Sequence, residues 1–171
     1  MKKFDSVGQF WRNYVPAYKS KSFRPFHVGF PWNPFIAPRI KAISERRSQN
    51  RIRNYINSDE LQRAKNRLSK NPGSDVSIRF GVSKSGHGYS GERGDFCLVA
   101  GVFRAGTLTL FYRSIELIGG FAFDLVLIRH IEKELDVKIK RIEIWAIKAF
   151  IFALKGNSNE KLYPKLRRIL K

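Results

Sequence analysis

The chain has 171 residues, 43% of them hydrophobic, enough for one core of ordinary size and too few for two, so a single domain over residues 1–171 is expected. Its 33 Lys and Arg against 14 Asp and Glu give a formal charge of +19, far beyond what solubility requires, which points to a polyanionic partner rather than a small neutral ligand. No run approaches the roughly 20 apolar residues of a membrane span, the first residues lack the apolar run of a signal peptide, and one cysteine with three scattered histidines gives neither an internal disulfide nor a zinc-ligand spacing.

A cytoplasmic protein without a membrane partner is the expectation. Its charge is uneven. Residues 1–80 hold 17 basic and 5 acidic side chains (+12), and residues 81–171 hold 16 and 9 (+7), so the first half is the stronger electrostatic footprint.

Residues 1–38 are rich in aromatics, from Phe4, Phe10 and Trp11 to Trp32 and Phe35, interleaved with Lys19, Lys21 and Arg24 and broken by five prolines. The proline density argues against a long helix. An arm packing its rings on the core is the first reading, and rings stacking on unpaired bases the second. Residues 39–57 read as a basic helix whose Arg46, Arg47, Arg51 and Arg53 reach phosphates. Ser58 caps a second helix with Asp59 and Glu60 in its first turn, ended by Asn71-Pro72-Gly73. A strand over Val76–Val82 follows.

Residues 83–94 form a Gly- and Ser-rich loop. Its Gly86-x-Gly88-x-x-Gly91 spacing matches a dinucleotide fingerprint, but the next element reads as a strand rather than the helix that fingerprint requires. The loop is instead read as a lip over a pocket, with His87, Glu92, Arg93 and Asp95 within reach of a ligand. A β-hairpin is expected over Asp95–Phe103 and Thr107–Arg113. With Arg104-Ala105-Gly106 as the turn, Cys97 and Arg113 sit opposite each other, eight residues either side of Ala105. Gly119-Gly120 opens a helix from Phe121 to Leu135 that is apolar nearly all round, as a buried central helix should be. Asp124 is anomalous there: it either caps the helix or pairs with an arginine or ligand, because isolated buried charge is costly. A strand over Lys138–Ile147 and a C-terminal segment with Tyr163-Pro164-Lys165-Leu166 complete the reading.

In this order the chain offers Asn71-Pro72-Gly73-Ser74, Cys97, Phe111-Tyr112-Arg113-Ser114, Gly120-Phe121-Ala122-Phe123-Asp124 and Pro164-Lys165-Leu166. That order resembles the thymidylate synthase and deoxycytidylate hydroxymethylase superfamily over roughly residues 60–171. The resemblance implies an α+β fold, thymidylate-synthase-like, with a mixed or antiparallel sheet packed on a long buried helix. It also implies phosphate binding by Arg113 with help from Ser114 and the neighbouring Tyr112, and a homodimer. Asp124 falls where uracil-binding members have Asn and cytosine-binding members have Asp. A carboxylate accepts from the cytosine amino group and repels the uracil carbonyl, so a cytosine pocket is implied. Either Cys97 or, with a longer hairpin, Asp95 takes the family's cysteine position.

The chain departs from the family at Asp75 and Val76, where an arginine pair is expected, and at Phe150 and Phe152, where the ribose-holding His and Tyr stand. No folate-binding segment is evident. A free-nucleotide enzyme using Cys97 as nucleophile is therefore the third choice. The leading expectation is an endonuclease that reads a splayed cytosine in single-stranded DNA, with Glu92, Asp95, Glu116 and Asp124 as candidate acids and a divalent metal, Mg2+, at Asp95 and Glu116. The alternative is a non-catalytic single-stranded nucleic-acid-binding protein.

Overall fold

The structure, a computed structural model, describes residues 1–15, 21–80, 97–151 and 160–170. Among these residues the chain runs β1 (Lys2–Lys3), α1 (Val7–Tyr14), β2 (Lys21–Phe23), β3 (Phe26–Pro31), α2 (Ile36–Ile43), α3 (Glu45–Tyr55), α4 (Ser58–Lys70), β4 (Val76–Arg79), β5 (Leu98–Arg104), β6 (Thr107–Glu116), α5 (Gly119–Glu134), β7 (Arg141–Ile151) and α6 (Tyr163–Ile169). The strands make one mixed sheet in the order β1-β3-β7-β6-β5-β4, with β2 continuing beside β7. Pairs β1/β3 and β6/β7 are parallel and the others antiparallel.

The β5–β6 hairpin turns on two residues, Ala105 (φ 47°) and Gly106 (φ 82°), both left-handed. Two left-handed residues match the turn's twist to that of the strands. A Cβ at Gly106 would also crowd the Lys140 side chain at 3.1 Å. The two-residue turn pairs Arg104 with Thr107 and Ala100 with Phe111; a register shift between Leu98 and Ala100 then sets Leu98 opposite Tyr112, and the Arg113 amide donates to the Cys97 carbonyl at 2.8 Å. Cys97 and Arg113 are thus opposite, but through that shift in β5 and not through a turn centred on Ala105.

Helix α5 crosses from β6 to β7, the connection that a parallel pair requires. It packs on β6 on one side and on α2, α3 and α4 on the other. Phe121, Leu125, Leu127 and Ile131 are fully buried. That sandwich explains a helix with apolar residues nearly all round. Ile142 and Ile144 of β7 and Leu108 and Leu110 of β6 complete the same core.

Four expectations change. The N-terminal segment is part of the sheet rather than an arm laid over it, because β3 pairs with β7 from Phe26 to Pro31. Its rings are core: Phe10 stacks on Phe30 at 5.4 Å and meets Phe121 at 5.1 Å, while Phe35 stands exposed. The basic segment is two helices, because Ser44 takes an extended backbone and its Oγ accepts from the Arg47 amide, starting α3 afresh. Asn57, not Ser58, caps α4, its Oδ1 accepting from the Asp59 and Glu60 amides. The last long strand starts at Arg141 and continues to Ile151.

Candidate functional site

A polar cluster is enclosed between α3, α5 and the β5/β6 end of the sheet. One turn apart on α3, Arg51 and Tyr55 share a face and point toward α5. Arg51 Nε donates to Asp124 Oδ1 at 2.5 Å, and Nη1 donates to the Tyr55 hydroxyl at 3.1 Å. The other Asp124 oxygen accepts from the Tyr112 hydroxyl at 3.0 Å. Tyr55 in turn accepts from the Cys97 amide at 3.3 Å, and the Ser114 hydroxyl donates to Cys97 Sγ at 3.1 Å. One connected network therefore runs from Ser114 and Cys97 through Tyr55 and Arg51 to Asp124 and Tyr112.

Its electrostatics are set by the charged pair. Asp124 is wholly buried, whereas the Arg51 side chain keeps 21% of its exposure. Burial pulls the Arg51 guanidinium toward losing its proton, but the Asp124 carboxylate outweighs that and holds the group above its ordinary value. Arg51 stays charged. Burial and then the Asp124 charge push the Tyr112 phenol well above its usual range, so it keeps its proton and acts as a donor. Tyr55 is raised by burial, with Arg51 opposing. The guanidinium also lies over the Tyr55 ring, 4.2 Å from its centroid.

This arrangement changes the role of Asp124. Both carboxylate oxygens are engaged by the protein, so the group orients Arg51 rather than waiting to accept from a base. Arg51 is equally altered: it is the half-buried partner of Asp124, not one more surface cation. Its Nη2 has no hydrogen-bond partner among the described residues, and the side chain as a whole keeps 21% of its exposure.

Glu116 is a second correction. Its carboxylate accepts from the backbone amides of Ile118, Gly119 and Gly120 at 3.0, 2.6 and 2.9 Å. It caps the start of α5, where no cap side chain stands at Ile118 itself. A carboxylate so occupied is a poor metal ligand. Among the described residues no group of three or more His, Cys, Asp and Glu side chains is placed to hold a metal ion.

Alternation along β6 separates the expected phosphate binders. Tyr112 and Ser114 face the polar cluster, while Phe111 and Arg113 face the opposite side of the sheet. Arg46, Arg47 and Arg53 stand exposed on α3, Arg53 donating to Asn50 at 2.9 Å. Asp75 pairs with Arg104 at 3.5 Å, and Lys148 lies over the Phe150 ring. His87, Glu92, Arg93, Asp95 and Phe152 lie outside the described residues. Tyr55 went unremarked in the sequence, although its one-turn spacing from Arg51 was a usable signal.

The molecule is thus a mixed α/β protein on a seven-stranded sheet, and no helix among the described residues is long and apolar enough to cross a membrane. No protein family and no curated protein matches the chain. Among solved structures it is similar to the thymidylate synthase from T4 phage, at 16% identity and a TM-score of 0.43, over 66% of this chain and 39% of that one. The chain therefore spans about two fifths of that enzyme's length.

Proposed function

We propose that this protein is a thymidylate-synthase-like endonuclease that cleaves cytosine-containing single-stranded DNA. The observation that carries the reading is the charge of +19 beside a buffered, partly exposed arginine. In charge and size the chain resembles the endonuclease IV of T-even phages, which cuts cytosine-containing single-stranded DNA. Host cytoplasm would then be its place of action.

In this reading Arg51, fixed by Asp124 and Tyr55, donates from Nη2 to a phosphate or to an acceptor on the cytosine ring. Arg46, Arg47 and Arg53 of the same helix track the backbone, whose phosphates dominate affinity. The described residues do not form a metal site, since Asp124 and Glu116 are occupied. Cleavage acids are therefore assigned to Glu92 and Asp95, in the segment leading into Cys97, and a divalent ion such as Mg2+ would belong with them.

A second reading has its own support: the two carboxylates nearest the cluster are both committed to structure, which favours recognition without cleavage. One assay separates them. Labelled single strands carrying cytosine, or 5-hydroxymethylcytosine at every cytosine, are incubated with the protein and magnesium. Cutting confined to the first strand, lost with binding kept in Glu92→Gln or Asp95→Asn, supports the endonuclease. Tight, salt-sensitive binding with no cutting under any divalent ion identifies the recognition protein. Tight binding of free deoxycytidylate that depends on Cys97 would overturn both.

A further inference from the structure

Helix α4 packs on the edge strand β4, and one buried acid ties the two together. Glu60, in the first turn of α4, keeps 10% of its side-chain exposure. Its Oε1 accepts from Arg63 Nη2 at 2.7 Å and from Arg79 Nη2 and Nε at 2.6 and 3.2 Å. Arg63 stands one turn further along α4, and Arg79 is the last residue of β4. Two guanidinium groups from two elements thus converge on one oxygen. Like charges so close repel each other, and the shared carboxylate is what holds them side by side.

The group is engaged on its inner side and open on its outer one. Both arginine side chains remain about two thirds exposed, at 67% and 66%. Arg63 Nε and Nη1 and Arg79 Nη1 have no hydrogen-bond partner among the described residues. Two positive charges against one negative leave a surplus of one. Guanidinium forks match the oxygens of a phosphate, and forks already held in place lose less freedom on taking one. Cations continue along the helix: Arg67 and Lys70 follow Arg63 by four and seven residues on the same flank, over about 10 Å. Both are exposed. Asp59, the other acid of α4, stands back in the first turn, and Asp75 is taken by Arg104 at 3.5 Å.

We propose that Arg63 and Arg79, gathered on Glu60, bind a backbone phosphate of a single-stranded nucleic acid, and that Arg67 and Lys70 extend this contact along α4. The proposal rests on the nucleic-acid reading above and adds to it a path for the strand beyond the cations of α3. A row of cations suits a chain of phosphates better than a single carboxylate. Position supports the same partner. Arg79 pairs with Ala100 across β4 and β5, and the Phe80 amide donates to the Val99 carbonyl at 3.0 Å. The paired arginines therefore stand at the strand end where the Cys97 amide meets Tyr55, one strand away from the polar cluster. A backbone held there passes the cluster with its next nucleotides.

The test titrates the full chain with a labelled single-stranded DNA at several salt concentrations and records melting curves in parallel. Arg63→Ala and Arg79→Ala are each expected to weaken binding about tenfold and to lower the salt slope by about one unit. Each variant leaves Glu60 with its other arginine, so the melting temperature should barely move. Lys133→Ala removes the same charge from the exposed end of α5 and is expected to change affinity less than about twofold. If both arginine variants bind no more weakly than Lys133→Ala, with the wild type still binding, the site is overturned and the nucleic-acid reading stands. A loss of affinity seen only together with a loss of folded protein assigns the pair to the fold and overturns the site as well. Wild-type protein that binds no strand overturns both proposals.

Discussion

The two faces of the β6/β7 pair treat polar and apolar groups in opposite ways. On the helix-covered face, charge is paired within the protein, Arg51 with the buried Asp124 and Asp124 with Tyr112. On the open face, large apolar side chains such as Trp145 and Ile147 are left in water beside unburied arginines. A buried ion pair is weak evidence for stability, since its desolvation cost rivals its attraction, but it fixes geometry. An exposed ring on a strand contributes little to folding and is free for a partner. The contrast teaches that in this molecule the group placed with most constraint is Arg51, whereas the surface with least internal purpose is the row around Trp145.

Breaking the covered face should have the largest effect. Asp124→Ala leaves the Arg51 charge unpaired in a closed site and is expected to cost about 3–5 kcal/mol, read as a lower melting temperature by roughly 10 °C. The double change Arg51→Met with Asp124→Leu should recover most of that loss; failure to recover would mean that the pair is needed for the fold itself. Next in size is Glu116→Ala, which strips three amides of their acceptor and should cost about 1–2 kcal/mol in urea unfolding. Glu116→Gln keeps one oxygen and should retain most of the stability, with any metal-dependent cutting unchanged.

Tyr112 gives a pH test. Its folded-state value lies above the ordinary tyrosine value, so the folded chain holds a proton that the unfolded chain releases in alkali. That contribution is present below about pH 10 and is lost as pH rises beyond it. Tyr112→Phe should flatten the alkaline part of the stability curve, at a cost of about 1 kcal/mol near neutrality. The smallest effect belongs to the open face. Ile147→Ser should stay within about 0.5 kcal/mol of the parent, and a larger loss would show that this face is buried in the working protein.

Local signals account for what was legible. The place of the hairpin followed from the turn signal at Arg104-Ala105-Gly106, although the register shift between Leu98 and Ala100 was not legible, and the central position of α5 followed from its uniform apolarity. Asp124 was recognised as needing a partner, but the partner is 73 residues away in sequence, one arginine among several in a basic stretch. Charge counts cannot say which cation is turned inward. The N-terminal rings read as an arm for a related reason, since β3, besides its short pairing with β1, is joined to the sheet through the distant β7. Glu116 looked like a candidate ligand because its three amide donors arise from backbone geometry, which side-chain spacing does not reveal. Separation of Arg113 from Ser114 was available from strand alternation alone. The open face was also foreshadowed, as Ile144-Trp145-Ala146-Ile147 is apolar on both sides of the strand.

The pairing of β3 with β7, together with the bond from Trp11 to the Leu117 carbonyl 106 residues later, has a consequence for biosynthesis. The first strands emerge from the ribosome long before the strand that receives them. At about 5–20 residues per second they wait on the order of ten seconds with Phe26, Val28 and Phe30 uncovered. Non-local pairing of this kind closes late and slowly. Nascent chains halted before β7 should therefore be the species that aggregates or recruits chaperones, and completion of that single strand should release the N-terminal third into the fold.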